Sequence, residues 1–309
     1  MPELPEVETI VRDLRAGGVT GRTVTNVRVH WARSVEGLTP HTFRKRLAGQ
    51  RIAAIGRYGK YIVLTLSRDT LLIHLRMSGR LVLGPAAAAG DPHERVVLRL
   101  DDGRALRYHD TRKFGRCTLH RDPARKLGLL GPDALDPRLT AAVFERLLAA
   151  RRGMLKPLLL NQRFLAGLGN IYVDEALFEA GLHPQRQCAT LTAAERKRLY
   201  RAVRRVLRRG IRRGGTSLGG GEANFYSVAG RRGRNQDRLN VFRRQGEPCP
   251  RCGTAIERIM VGQRGTHLCP RCQPARPSAP GCDRATPRPV RNPRGARRRP
   301  TAAPVDPVR

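Results

Sequence analysis

The sequence predicts an α+β protein of two domains: an N-terminal β-sandwich with a leading helix, then a helical C-terminal domain ending in a four-cysteine zinc-finger hairpin. Three observations carry this. The apolar pattern is dominated by short alternating runs up to about residue 121 and switches to helical spacing after Pro137. Four of the seven cysteines form two C-x-x-C pairs near the end of the folded sequence. At 309 residues and 40% hydrophobic, the chain is long enough for two cores. The expected segments are a sandwich domain over 1–135, a helical domain over 136–238, a zinc finger over 239–273 and a disordered basic tail over 274–309.

The leading helix follows from Val7, Ile10, Val11 and Leu14, which fall at i, i+3, i+4 and i+7. Pro5 suits a first helical turn and Gly17-Gly18 ends the helix. Residues 23–31 alternate through Val24, Val27, Val29 and Trp31; 61–66 and 71–75 are apolar runs around a turn at 67–69. Residues 96–100 and 105–108 flank Asp101-Asp102-Gly103, a hairpin signal, and 86–92 read as a loop. Many short, closely spaced strands argue for a sandwich or barrel. Helical spacing then appears over 141–150, 173–180 and the basic stretch 193–213, which Gly214-Gly215 stops. Residues 219–238 carry no periodicity and read as a mobile loop.

Charge narrows the function. Sixty Lys and Arg against 25 Asp and Glu give a formal net of +35, which repels itself in a compact state and calls for a polyanion. Nucleic acid is the first candidate, since each neutralised phosphate releases counterions. A membrane surface fits less well, because no basic amphipathic helix has a broad apolar face. Residues 273–309 hold nine Arg and two Asp, about +7, and no aromatic, Leu or Ile. They cannot bury enough apolar area to order themselves, and the remaining charge of about +28 belongs to the folded part. The start has neither a signal peptide's basic segment nor its apolar core, and no run approaches a membrane span. A cytoplasmic protein is therefore expected.

Cys249, Cys252, Cys269 and Cys272 form C-x₂-C-x₁₆-C-x₂-C. Two knuckles at this separation place four thiolates tetrahedrally on one zinc ion, with a hairpin between them. Four sulfur ligands leave no open position, so the metal is expected to be structural, which argues against a zinc hydrolase. Cys117, Cys188 and Cys282 read as incidental. At the other end, removal of Met1 leaves the secondary amine of Pro2. An α-amine has a pKa near enough to neutral to be partly nucleophilic. Attack on a sugar C1′ expels a base, and the resulting iminium is an electron sink for elimination. Glu3 is placed to move protons beside it. A Pro-Glu start is by itself ordinary.

The start MPELPEVETI, the run Gly167-Leu-Gly-Asn-Ile-Tyr-Val-Asp-Glu and the Gln263-Arg264-Gly265-Thr266 segment of the cysteine module, taken in order, resemble the formamidopyrimidine-DNA glycosylases. These are bacterial bifunctional glycosylases and abasic-site lyases that remove 8-oxoguanine and ring-opened purines. The resemblance runs from Pro2 to about Gln273 and implies each of the following roles. Pro2 is the Schiff-base nucleophile, Glu3 the general acid, Lys60 an aid to β-elimination and Arg264 a residue of δ-elimination. Met77 fills the gap left by an extruded nucleotide; Arg112 pairs with the orphaned cytosine and Phe114 wedges the stack. His74, His93, Arg151, Lys156 and Asn170 touch DNA or the lesion. Asn170 and neighbouring amides at a helix start, within a helix–two-turn–helix element, bind phosphate.

Without the resemblance, Lys60 and Arg264 read as solvated cations and Met77 and Phe114 as core. It further implies a monomer acting on double-stranded DNA that carries a damaged base or abasic site, with one structural zinc ion. The sequence departs from the commoner pattern at 217–238, which bears on lesion choice and not on the elimination chemistry. Two other readings compete. A sister enzyme for oxidised pyrimidines, resembling endonuclease VIII, shares Pro2-Glu3, but Leu4 and Arg112–Phe114 favour the purine branch. A non-catalytic DNA-binding zinc protein would need no free amino terminus.

Overall fold

The structure is a computed structural model and describes residues 1–219 and 223–275. Most of the tail expected over 274–309, including Cys282, lies outside the described residues. Helix α1 (Leu4–Ala16) opens the chain, with Pro5 in its first turn and Leu4, Val7, Ile10, Val11 and Leu14 buried. The strands that follow are β1 (Val24–Val29), β2 (Ile52–Tyr58), β3 (Tyr61–Leu66), β4 (Thr70–His74), β5 (Gly79–Pro85), β6 (Glu94–Leu100), β7 (Arg104–Asp110) and β8 (Arg116–His120). They form two four-stranded antiparallel sheets, in the orders β1-β6-β7-β5 and β2-β3-β4-β8. The first core fills the space between them, with Ile62, Leu64 and Leu71 from one sheet and Leu81, Val96 and Leu106 from the other. This is the expected sandwich.

One element in this stretch departs from the all-strand expectation: helix α2 (Pro40–Leu47) separates β1 from β2. Pro40 sits in its first turn and the Thr39 hydroxyl accepts the Thr42 amide at 3.2 Å. Only Phe43 and Leu47 face inward, so its apolar stripe is too narrow to register as helical periodicity.

The short α3 (Ala124–Leu127) leads to α4 (Ala141–Ala149), α5 (Leu155–Leu160), α6 (Asn170–Ala180) and α7 (Ala193–Arg212). Helix α6 is the centre of the second core and is buried nearly all round, including Asp174 and Glu175. Helix α7 starts at a Thr192–Glu195 capping box and buries Leu199, Val203, Val206 and Leu207 while its arginines face outward. Strands β9 (Glu257–Val261) and β10 (Arg264–Leu268) make the hairpin of the cysteine module. Gly262 and Gln263 turn it with φ of 55° and 60°, the left-handed pair that a tight two-residue hairpin needs.

The cores do not follow the order of the chain. Leu4 belongs to the second core, and Phe225 and Val228 from the segment after α7 belong to the first. Residues 223–238, expected as a mobile loop, are irregular but anchored by these two buried side chains.

Candidate active site

The chain start is locked into the helical domain. The Leu4 amide donates to the Gly167 carbonyl at 3.1 Å. Glu3, 3% exposed, accepts the amides of Gly169 (2.8 Å), Ile171 (3.0 Å) and Tyr172 (3.4 Å) at the start of α6. Two glycines make the approach possible: a Cβ at Gly167 would lie 2.5 Å from Leu4 Cδ1, and one at Gly169 would lie 2.4 Å from Glu3 Cδ. Burial pushes the Glu3 carboxyl above its ordinary pKa, opposed by Lys60 and the Ile171 amide. The free amine of the sequence as written is that of Met1. Burial lowers its pKa against the attraction of Glu3 and Glu6. Pro2 itself is buried.

Lys60 sits in the tight turn between β2 and β3 and is 6% exposed. The turn is fixed from outside, because the Gly59 amide donates to Asp133 Oδ2 at 2.7 Å and Arg57 pairs with the same carboxylate. Burial lowers the Lys60 pKa; the charges of Glu3 and Glu6 raise it, and Arg264 lowers it further. These charges, from three separate segments, therefore act on one another at a single locus. Glu6, at 1% exposure, accepts the Tyr172 hydroxyl and the Thr216 amide, both at 2.7 Å, and the Glu3 amide at 2.8 Å. Burial, with the Glu3 charge beside it, raises its pKa to about 7.

On the sandwich side, Met77 and Phe114 are 41% and 49% exposed, so both large apolar side chains are open to a partner. Asp110, 1% exposed, organises both of their loops. It accepts the Ser78 hydroxyl beside Met77, at 2.5 Å, and the amides of Arg112 (3.2 Å) and Gly115 (2.7 Å) on either side of Phe114. The Arg112 guanidinium lies 5.0 Å from the Phe114 ring centre, and the Lys113 ammonium lies 4.2 Å from that of Trp31. His74 Nδ1 accepts the Arg76 amide at 3.1 Å. Burial holds the His74 pKa down at about 3. The ring is therefore neutral, with its proton on Nε2. His93 is exposed. A cavity of about 250 Å³ lies between Met77, Arg80, His93 and His109 on one side and Phe225 and Tyr226 on the other.

The cysteine hairpin packs against the start of α6 and against α5. Gly265 O accepts Asn170 Nδ2 at 2.9 Å and Lys156 Nζ at 3.3 Å, and the neighbouring Arg264 is exposed. The four Sγ atoms of Cys249, Cys252, Cys269 and Cys272 lie within 4.8 Å of one another. Three of their separations are 3.5, 3.5 and 3.9 Å. A tetrahedron with metal–sulfur bonds of about 2.3 Å has edges of about 3.8 Å, so the thiolates present fit one structural metal ion.

Two expectations are corrected. Lys156 is not an exposed cation: it is fully buried, paired with Asp174 at 2.6 Å. Asp174 also accepts the His267 amide at 3.0 Å, so the pair joins α5, α6 and β10. Of the amides at the start of α6, those of Ile171 and Tyr172, with that of Gly169 before them, are taken by the buried Glu3 carboxyl and are not free for phosphate. The Asn170 side chain donates through Nδ2 to Gly265 O, and its buried Oδ1, an acceptor, has no hydrogen-bond partner among the described residues. Arg151 is exposed, 5.9 Å from the Phe164 ring centre. The sequence alone does not point to Glu6, Asp110, Asp174 or the Trp31–Lys113 contact. The capping-box spacing of Glu3 and Glu6 is the one available signal.

A sandwich and a helix–turn–helix domain closing on a buried carboxylate, with exposed apolar side chains on loops and a four-cysteine hairpin, define a DNA glycosylase of the helix–two-turn–helix class. Three family models match: the formamidopyrimidine-DNA glycosylase N-terminal domain over residues 1–117, its H2TH domain over 130–220, and the zinc finger found in FPG and IleRS over 246–275. The formamidopyrimidine-DNA glycosylase of Protochlamydia amoebophila is 44% identical over 274 residues, covering 88% of this chain and 99% of that protein. That of Symbiobacterium thermophilum is 46% identical over 278 residues, covering 89% and 90%. Among solved structures, the Lactococcus lactis Fpg in complex with DNA containing an abasic site superposes with a TM-score of 0.81 at 33% identity, over 89% of this chain and all of that one. The MutM (Fpg) protein from Thermus thermophilus gives 0.79 at 40% identity, with the same coverage. The chain belongs to the formamidopyrimidine-DNA glycosylase family.

Proposed function

We propose that this base-excision-repair glycosylase removes oxidised purines from double-stranded DNA and cleaves the resulting abasic site, with the amine of Pro2 as nucleophile. The observation that carries the reading is the Glu3 carboxyl, buried at the start of α6 beside the chain's own amine and Lys60. Once Met1 is removed, the Pro2 nitrogen lone pair attacks C1′ and the base leaves with the electrons of the glycosidic bond. Glu3, whose raised pKa favours the protonated form, gives its proton to the ring oxygen as the sugar opens to the iminium. Loss of a C2′ proton then expels the 3′ phosphate, a step assisted by Lys60. A second elimination, assisted by Arg264, expels the 5′ phosphate.

Met77 and Phe114 enter the base stack to replace the extruded nucleotide, and Arg112 faces the orphaned cytosine. His74, as a neutral donor through Nε2, together with Asn170, Arg151 and His93, holds the backbone and lesion. The cavity between His93 and Phe225 receives the extruded base. The cysteine ion is Zn²⁺, which holds the hairpin and takes no part in the chemistry. The protein works as a monomer in the bacterial cytoplasm.

The test is excision from duplexes carrying 8-oxoguanine opposite cytosine and thymine glycol opposite adenine. Faster release of 8-oxoguanine is expected, and a marked preference for thymine glycol overturns the substrate assignment.

A further inference from the structure

We propose a second DNA-binding surface, separate from the residues described above, at the C-terminal end of α7. A concavity of about 580 Å³ is lined by Arg209, Arg212, Arg213, Arg234, Arg238 and Asn240. Five guanidinium groups and no carboxylate line it. Arg209 pairs with Glu175 at 3.1 Å. That carboxylate also takes the amides of Asn240, Val241 and Phe242 at 2.9–3.1 Å, so it is fully engaged. Among the described residues, the side chains of Arg212, Arg213, Arg234 and Arg238 make no hydrogen bond or ion pair.

The cluster is built rather than accidental. The Arg234 amide donates to the Arg213 carbonyl at 2.9 Å and the Asn235 amide to the Gly215 carbonyl at 3.0 Å, which pins the second arginine-bearing segment to the end of the helix. Asn235, 1% exposed, adds a side-chain bond to Thr216 Oγ1 at 2.9 Å.

A helix C-terminus attracts cations, and Arg209 and Arg212 in the last turn of α7 satisfy that demand. It does not account for Arg234 and Arg238, which come from another segment and add only repulsion to a protein already at +35. What fits four unpaired planar forks is a row of phosphates, each able to accept a bidentate contact. Among phosphate carriers, the backbone of a DNA duplex offers several phosphates at regular spacing and releases counterions on binding. We therefore assign the surface to a DNA segment other than the one at the Glu3 site. The protein could then hold one duplex at the active site while touching another.

The test uses the full chain and a variant carrying Arg212→Ala, Arg234→Ala and Arg238→Ala, with matching thermal melting as the check on folding. Protein is trapped by borohydride on a short duplex with an abasic site, so that the active site is filled, and a labelled undamaged duplex is then titrated. The wild-type adduct should bind the second duplex and the variant adduct at least tenfold more weakly, with excision from a short lesion duplex unchanged. With undamaged duplex alone, the slope of log K against log salt should fall by roughly two to three, given ~0.9 per phosphate contact. A triple Arg→Lys variant should keep most of that slope, since it preserves point charge. The proposal is overturned if the wild-type adduct binds no second duplex, or if the alanine variant binds it equally well. Failure to form any adduct would instead reject the Pro2 chemistry, and the salt slopes would still decide this surface: equal slopes overturn it.

Discussion

The Glu3 carboxylate accepts the Gly169 amide at 2.8 Å, across 166 positions of the chain. With the Ile171, Tyr172 and Leu4 bonds beside it, this bond joins the amino terminus to the start of α6, and a Cβ on Gly169 would collide with Glu3 Cδ at 2.4 Å. Gly169→Ala should therefore displace the general acid while leaving both cores intact. Base excision in single turnover should fall by about 10²-fold, the lower range for losing a positioned proton donor. Cleavage of a preformed abasic site should fall less, and melting should move little.

Stability should carry a signature of Glu6. Its folded pKa, about 7, lies above the unfolded value near 4.3, so the folded state binds the proton more tightly. The stabilisation is fully present below about pH 4 and is lost as pH rises through 7. The raised pKa corresponds to a difference of about 4 kcal/mol. Glu6→Gln should flatten the melting-temperature profile between pH 5 and 8. A variant profile parallel to that of wild type would remove Glu6 as its source.

Lys156 and Asp174 are both fully buried and 2.6 Å apart. Removing one partner leaves an uncompensated charge, so Lys156→Met should cost about 3–5 kcal/mol in chemical denaturation. Pairing it with Asp174→Leu should recover part of that loss. Recovery will be incomplete, because Asp174 also holds the His267 amide.

Removing the metal should act through Arg264 and Gly265 rather than through the nucleophile. Chelation, or Cys269→Ser, frees the hairpin whose Gly265 carbonyl takes Asn170 and Lys156. Duplex affinity should drop at least tenfold, while trapping at saturating abasic DNA should slow by a smaller factor. Fluorescence anisotropy and trapping rates, measured on one preparation, separate the two effects.

Parts of this fold and site are legible in the sequence, for identifiable reasons. Cysteine spacing specifies a metal cluster because ligand geometry is local. Helices α1, α4 and α7 carry broad apolar stripes with caps or stop signals. Helix α2 is not legible because two inward residues make no stripe. Lys156 is not legible as a buried residue because a lysine's burial depends on its partner, and Asp174 stands 18 residues away. Glu6 and Asp110 are invisible as organisers for the same reason: Glu6 meets Thr216 across 210 positions, and Asp110 meets Ser78 across 32.

The central claim is that the amine of residue 2 forms the covalent bond to DNA, and borohydride trapping followed by peptide mapping tests it most directly. After confirmed removal of Met1, the adduct should map to Pro2, and a form retaining Met1 should give none. An adduct on Lys60, equal trapping with Met1 in place, or no adduct from the mature chain would contradict the account.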